Sequence, residues 1–168
     1  IESTPYKPKI RKPGTGCVTM INDHLYEGRY TPTNAYGKRE SHNIYAKTRE
    51  ECEEKLAEMI AEVKNAYEIY ERLDELDPFS VDDLLTAHSI MTRGLVDESG
   101  VFRSKPVGVV DQEGHILHFG TLPQYVPDLV MELLGWTKNN DVHMLIRSCV
   151  FHYEFELIHP FADGNGRI

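Results

Sequence analysis

The stretch His159-Pro160-Phe161-Ala162-Asp163-Gly164-Asn165-Gly166-Arg167 lies at the end of the 168-residue chain, and the rest of the sequence reads most simply as its scaffold. Within it stand one titratable base, one short carboxylate, an amide between two glycines and one guanidinium. Successive backbone N–H groups from Gly164 to Gly166 form a concave nest for an anion, provided that no Cβ keeps its oxygens at a distance. Arg167 adds a planar fork that suits phosphate. Asp163 is hard, anionic and short, the kind of carboxylate of which Mg²⁺ takes one or two beside phosphates. His159 is the only group here whose ordinary pKa lies near neutrality, which makes it the candidate general base. The competing reading is a helix stop at Pro160, a Gly-rich turn and an ordinary satisfied histidine; the length and coherence of the motif favour the first.

Working outward, the spacing predicts a helix from Val142 to Ile158, capped by Asp141 and heavily buried through Leu145, Cys149, Phe151, Phe155 and Ile158. Pro127 suits the first turn of a helix to about Trp136. Val107–Val110 and His115–Phe119, on either side of Gln112-Glu113-Gly114, predict a β-hairpin. Ser80 with Asp83 opens a helix through about Thr92 in the manner of a capping box. Thr48, with Glu50 and Glu51 in the first turn, opens another, which carries Cys52, Leu56, Met59, Ile60 and Val63 as one apolar stripe; a second helical pattern, either separate from it or continuous with it, runs from about Val63 through Leu76 to a stop at Asp77-Pro78. Before it, Cys17–Ile21, His24–Tyr30 and Ser41–Ala46 read as three strands that this stripe can cover. The class is α+β: a small three-stranded antiparallel sheet plus helix, then a mainly α-helical region with a hairpin.

The residues spell H-P-F-x-D-G-N-G-R, which resembles the signature of the Fic family of nucleotidyl transferases, and the order of elements from about residue 66 onward is similar to a Fic domain. In such domains a G-x-F-R segment, here Gly100-Val101-Phe102-Arg103, precedes a hairpin called the flap, which pairs with an extended segment of a target protein. The resemblance implies transfer of AMP from ATP, with Mg²⁺, to a Ser, Thr or Tyr hydroxyl of a target protein. His159 would be the base, Asp163 the metal ligand, and Gly164, Asn165, Gly166 and Arg167 the nucleotide site. His115, Ile116, Leu117, His118, Phe119, Gly120, Thr121 and Leu122 would form the target-positioning flap. Gly166 favours nucleotidyl over phosphoryl transfer, because kinase-like members carry Lys there. His115 and His118 would need a further ligand to make a metal site, and no carboxylate or Cys is placed to supply it. The family's motif usually continues to a second arginine, so the domain is expected to be incomplete at Ile168 and the chain alone weakly active or inactive. An inhibitory S/T-x-x-x-E-G/N helix is not found: Glu27-Gly28 has Asp23 at the required offset and Glu113-Gly114 has Val109.

Residues 14–64 resemble the arm-type DNA-binding domain of phage tyrosine integrases, through Y-E-G-R-Y-T-P, G-K-R-E-S and Y-A-K-T-R-E-E-C-E-E-K-L in order. That resemblance implies Arg29, Lys38 and Arg39 as DNA contacts, with Lys9, Arg11 and Lys12 of an irregular basic arm over residues 1–13 as backbone contacts. The expected division is therefore an arm at 1–13, a DNA-binding module at 14–64 and a Fic domain at 65–168. Charge agrees with two modules: residues 1–47 hold eight Lys or Arg against four Asp or Glu, and residues 48–168 ten against twenty-three, for a net −9. An alternative is a DNA-binding module beside a non-catalytic Fic remnant, with the basic residues as a plain solvated face a further possibility. Three scattered cysteines, no apolar run long enough for a membrane span, and no signal-like start predict a cytoplasmic protein.

Overall fold

Alternation along the first three strands decides which face meets a helix. β1 (Cys17–Asn22), β2 (Leu25–Tyr30) and β3 (His42–Ala46) form one antiparallel sheet in the order β1-β2-β3, with Val18 opposite Gly28 and Gly28 opposite Ile44. Val18, Tyr30 and Ile44 point to α1 (Arg49–Glu71), whose Leu56 and Ile60 complete a small core. The approach is close, since a Cβ at Gly28 would lie 2.9 Å from Ile44 Cδ1 and 3.3 Å from Cys52 Sγ. Thr48 caps α1 as expected, its hydroxyl accepting from Glu51 N–H at 3.2 Å. On the opposite face Glu27 holds Arg29 at 2.9 Å and accepts from the Tyr45 hydroxyl at 3.0 Å.

The computed structural model describes residues 12, 14–34, 37–110, 113 and 116–168. The predicted contacts Lys9 and Arg11, and His115 of the predicted flap, lie outside the described residues. The chain divides into two units, Ile1–Lys64 and Asn65–Ile168, with α1 contributing residues to both.

The second unit contains α2 (Val81–Met91), the antiparallel pair β4 (Gly108–Val110) and β5 (Ile116–Phe119), α3 (Val126–Lys138) and α4 (Met144–Ile158). Its main core joins Val126, Val130, Leu133 and Leu134 of α3 to Phe155 and Ile158 of α4 and to Phe161 beyond it. A second cluster packs Ile69, Ile90 and Met91. Among the described residues no helix is long and apolar enough to cross a membrane.

Three expectations need correction. First, α4 starts at Met144, not Val142, and its cap is the ring of His143, which accepts from Leu145 N–H at 3.3 Å, rather than Asp141. Asn140 causes the delay: its side chain accepts from Val142 N–H at 2.9 Å and ties the chain into a turn. Second, burial along α4 is confined to its end: Phe155 and Ile158 are buried and Phe151 half-buried, whereas Leu145 and Cys149 are exposed. Third, α2 is capped by Ser80, whose hydroxyl accepts from Asp83 N–H at 3.2 Å, but the Asp83 carboxylate turns to Asp77 N–H at 3.0 Å, so only half of a capping box forms.

Candidate active site

Pro160 denies the residue before it the right-handed helical conformation, so α4 must stop there. His159 takes φ 50° and ψ 63°, the only non-glycine with positive φ among the described residues. Such a conformation is strained by about 1–3 kcal/mol and persists only where the surroundings over-determine it. They do so here. His159 N–H donates to Phe155 O at 2.9 Å, and its carbonyl accepts from Arg103 Nε at 2.6 Å. The imidazole is left about one-third exposed, with Nδ1 3.7 Å from Glu156 Oε2 one turn back.

Phe161 then drops into the core, fully buried and stacked on the His88 ring at 3.7 Å between centroids and 5° between planes. Asn165 closes the loop from inside: Phe161 N–H donates to its Oδ1 and its Nδ2 donates to Phe161 O, both at 2.9 Å. His88 is itself fully buried. Its Nδ1 accepts from Gly100 N–H at 2.9 Å, so the proton sits on Nε2, which donates to the Asp163 carbonyl at 3.0 Å. Burial pushes this imidazole below the ordinary histidine value, more strongly than the nearby Asp163 raises it. Gly164, at φ 84°, takes a backbone conformation that strains any other residue, and a Cβ there would also lie a tight 3.0 Å from Thr92 Cγ2. At Gly166 a Cβ would meet only Glu156 Oε1 at 3.8 Å, an ordinary contact. The fold demands glycine at the first position and not at the second.

What remains on the outside is charged. The Asp163 carboxylate accepts from Gly164 N–H at 2.6 Å and lies 3.2 Å from an Arg167 nitrogen, both side chains being solvent-accessible. A pinned loop thus presents an imidazole, a carboxylate and a guanidinium to solvent.

A family model described as "Fic/DOC family" matches residues 78–168, more than half of the chain. The chain belongs to the Fic/DOC family. It is 43% identical over 47 residues to a probable protein adenylyltransferase of Aquifex aeolicus, a match covering 27% of this chain and 15% of that protein. It is 30% identical over 97 residues to the protein adenylyltransferase fic-1 of Caenorhabditis elegans, covering 55% and 18%. The chain therefore spans less than a fifth of the length of these relatives. Among solved structures, a Fic family protein from Desulfovibrio desulfuricans superposes with a TM-score of 0.60 at 48% identity, over 66% of this chain and 34% of that one. A Fic domain containing signaling protein from Bacteroides thetaiotaomicron shares the fold at 19% identity and a TM-score of 0.51, over 79% and 48%. These matches lend no support to the likeness of residues 14–64 to an integrase arm domain.

In this Fic chain the six expected loop residues, His159, Asp163, Gly164, Asn165, Gly166 and Arg167, come together in one turn, but Asn165 faces inward and holds the loop rather than facing a ligand. Of the expected flap, Ile116–Phe119 forms β5. Gly120 N–H donates to Val107 O at 3.0 Å across the base of the hairpin, and the Thr121 carbonyl accepts from Arg103. The expected DNA contacts fall elsewhere: Arg29 lies in β2, paired with Glu27, while Lys38 and Arg39 are exposed in the loop before β3. Sequence reasoning passed over His88, Glu156 and the side chain of Arg103. The available signals were a lone histidine amid Leu84, Leu85, Ala87 and Ile90, and an arginine directly after Phe102.

Proposed function

We propose that the chain transfers AMP from ATP to a Ser, Thr or Tyr hydroxyl of another protein, with residues 65–168 as the catalytic part. The observation that supports this best is the loop itself: Pro160, Phe161 and Asn165 are spent inward on packing, while His159, Asp163 and Arg167 are left together at the surface. His159 takes the proton of the target hydroxyl as its oxygen attacks the α-phosphorus. The bond from that phosphorus to the bridging oxygen breaks, and pyrophosphate leaves. General-base help of this kind contributes roughly a hundred- to ten-thousand-fold, so positioning and charge stabilisation must supply the rest. Glu156 stands where it can orient the imidazole and steady it once protonated.

Arg167 is the phosphate ligand in this reading, exchanging its Asp163 partner for phosphate oxygens. Gly166, where folding does not call for glycine, leaves the backbone open to close approach by the same oxygens. The exposed, single carboxylate of Asp163 fits Mg²⁺, which takes few protein ligands beside phosphates; the ion would supply charge neutralisation at the polyphosphate. The flap aligns the target segment by strand addition.

The test follows both ends of the nucleotide. Label on the α-phosphate of ATP should appear on protein in a magnesium-dependent manner, label on the γ-phosphate should not, and His159→Ala should abolish transfer while ATP binding persists. Transfer of the γ-label, or undiminished transfer by the variant, would overturn the reading. No observation favours DNA binding by residues 14–64, since Arg29 is held by Glu27. Salt-sensitive DNA binding lost on Arg29→Ala and Arg39→Ala would restore it.

A further inference from the structure

The guanidinium of Arg103 is buried, the residue being only 2% exposed, and burial pulls it below the usual arginine value. Among the described residues its hydrogen-bond partners are backbone carbonyls. Nε donates to His159 O at 2.6 Å, Nη1 to Lys105 O at 2.9 Å, and Nη2 to Thr121 O and to Ile158 O, the last at 3.2 Å. Its own backbone N–H donates to Pro160 O at 3.0 Å. Three places in the chain therefore meet on one side chain: the segment that leads into β4, the segment that follows β5, and the end of α4.

A helix end at the surface needs no such device, because its last carbonyls are satisfied by water. A buried cation that meets no anionic partner among the described residues is also a costly way to satisfy them. What a planar guanidinium offers, and a lysine does not, is several donors in fixed directions that reach separate segments at once. The approach to the flap is close. A Cβ at Gly120 would lie 3.3 Å from Arg103 Nη2 and 2.8 Å from Val107 Cγ2, so the base of the hairpin is shaped to receive the guanidinium.

We propose that Arg103 is a positioning residue that locks the root of the flap to His159, so that the edge that aligns the target and the base that deprotonates it move as one piece. The proposal rests on the reading of His159 and the flap given above. The lock holds the strained backbone of His159 by its carbonyl and the flap by both of its legs, without touching ATP.

Hydrogen exchange of the full chain, followed peptide by peptide for wild type, Arg103→Lys and Arg103→Met, tests the lock without requiring activity. Both variants should accelerate exchange about tenfold or more in residues 105–110 and 116–122 and, to a similar degree, in 155–161. Residues 126–138 should not change, and Met should exceed Lys. Acceleration in one segment without the other would overturn the proposal, as would equal acceleration in 126–138, which marks a general packing role. If Arg103→Met does not fold, Arg103→Lys decides. A kinetic arm uses AMP transfer: Arg103→Lys should raise the KM for the target protein and lower kcat, with the KM for ATP within about twofold of wild type. An equal rise in both KM values would also overturn it. Wild-type protein that transfers no AMP would sink the proposed function, and the exchange data would then decide the lock by themselves.

Discussion

The loop at residues 31–41 and the loop at 159–167 are written with much the same letters, each holding a proline, an asparagine, glycine and a basic residue. In the first, the half-buried Asn34 bonds to exposed residues close in sequence: its Oδ1 accepts from Lys38 N–H at 2.9 Å and its Nδ2 donates to Glu40 at 3.1 Å. In the second, Asn165 is 6% exposed and bonds both backbone groups of buried Phe161, while His88 and Arg103 reach in from far up the chain. A loop held by its own neighbours makes a turn. A loop held by distant side chains fixes the positions of particular atoms, which is what a reacting group requires.

The largest expected effect comes from taking away the ring that seats the second loop. Phe161→Ala should cost about 3–5 kcal/mol in urea unfolding, because it removes a fully buried aromatic stacked on His88. A loss below about 1 kcal/mol would mean that the loop is not part of the core. The two asparagines give the sharpest contrast. Asn165→Ala strands a buried N–H and a buried carbonyl on Phe161, each worth about 1–3 kcal/mol, whereas Asn34→Ala should cost about 0.5 kcal/mol or less. Equal losses in the same unfolding assay would erase the distinction between the loops.

Acid is the gentlest perturbation. His88 is held neutral by burial, and protonation would set a second N–H against that of Gly100; Asp163 and Arg167 are the charged groups that act on it. Its contribution is complete above the ordinary histidine value near 6.5 and is lost as the pH falls from there through the lowered folded value. The unfolding midpoint should drop over that window, and His88→Gln should flatten the drop. An unchanged slope in the variant would assign the effect to other groups.

Much of this was legible in the letters. Alternation along His24–Tyr30 and short β-prone runs before and after it gave the sheet, and the apolar stripe of α1 gave the helix that covers it, because a buried face imposes its spacing on sequence. The chemistry of the last loop was legible because its functional groups are contiguous. The lock was not, since Arg103 and His88 act on backbone atoms 55 to 75 residues away and any carbonyl serves equally well as a partner. Burial along α4 was misread for a related reason: Leu145 and Cys149 have the apolar character of Phe155 and Ile158 but not their neighbours from α3.

The end of α4 also acts as a ruler. Each residue in such a helix turns the chain by about 100° and advances it by about 1.5 Å. His159 is at once the residue on which the helix stops and the one whose carbonyl is gripped from the side. Inserting or deleting a single residue just ahead of it would leave all nine letters of the motif intact and swing the imidazole to another quarter of the compass. For proteins of this kind a perfect spelling is therefore no guarantee of a working site; the rotational phase of the preceding helix has to be checked as well.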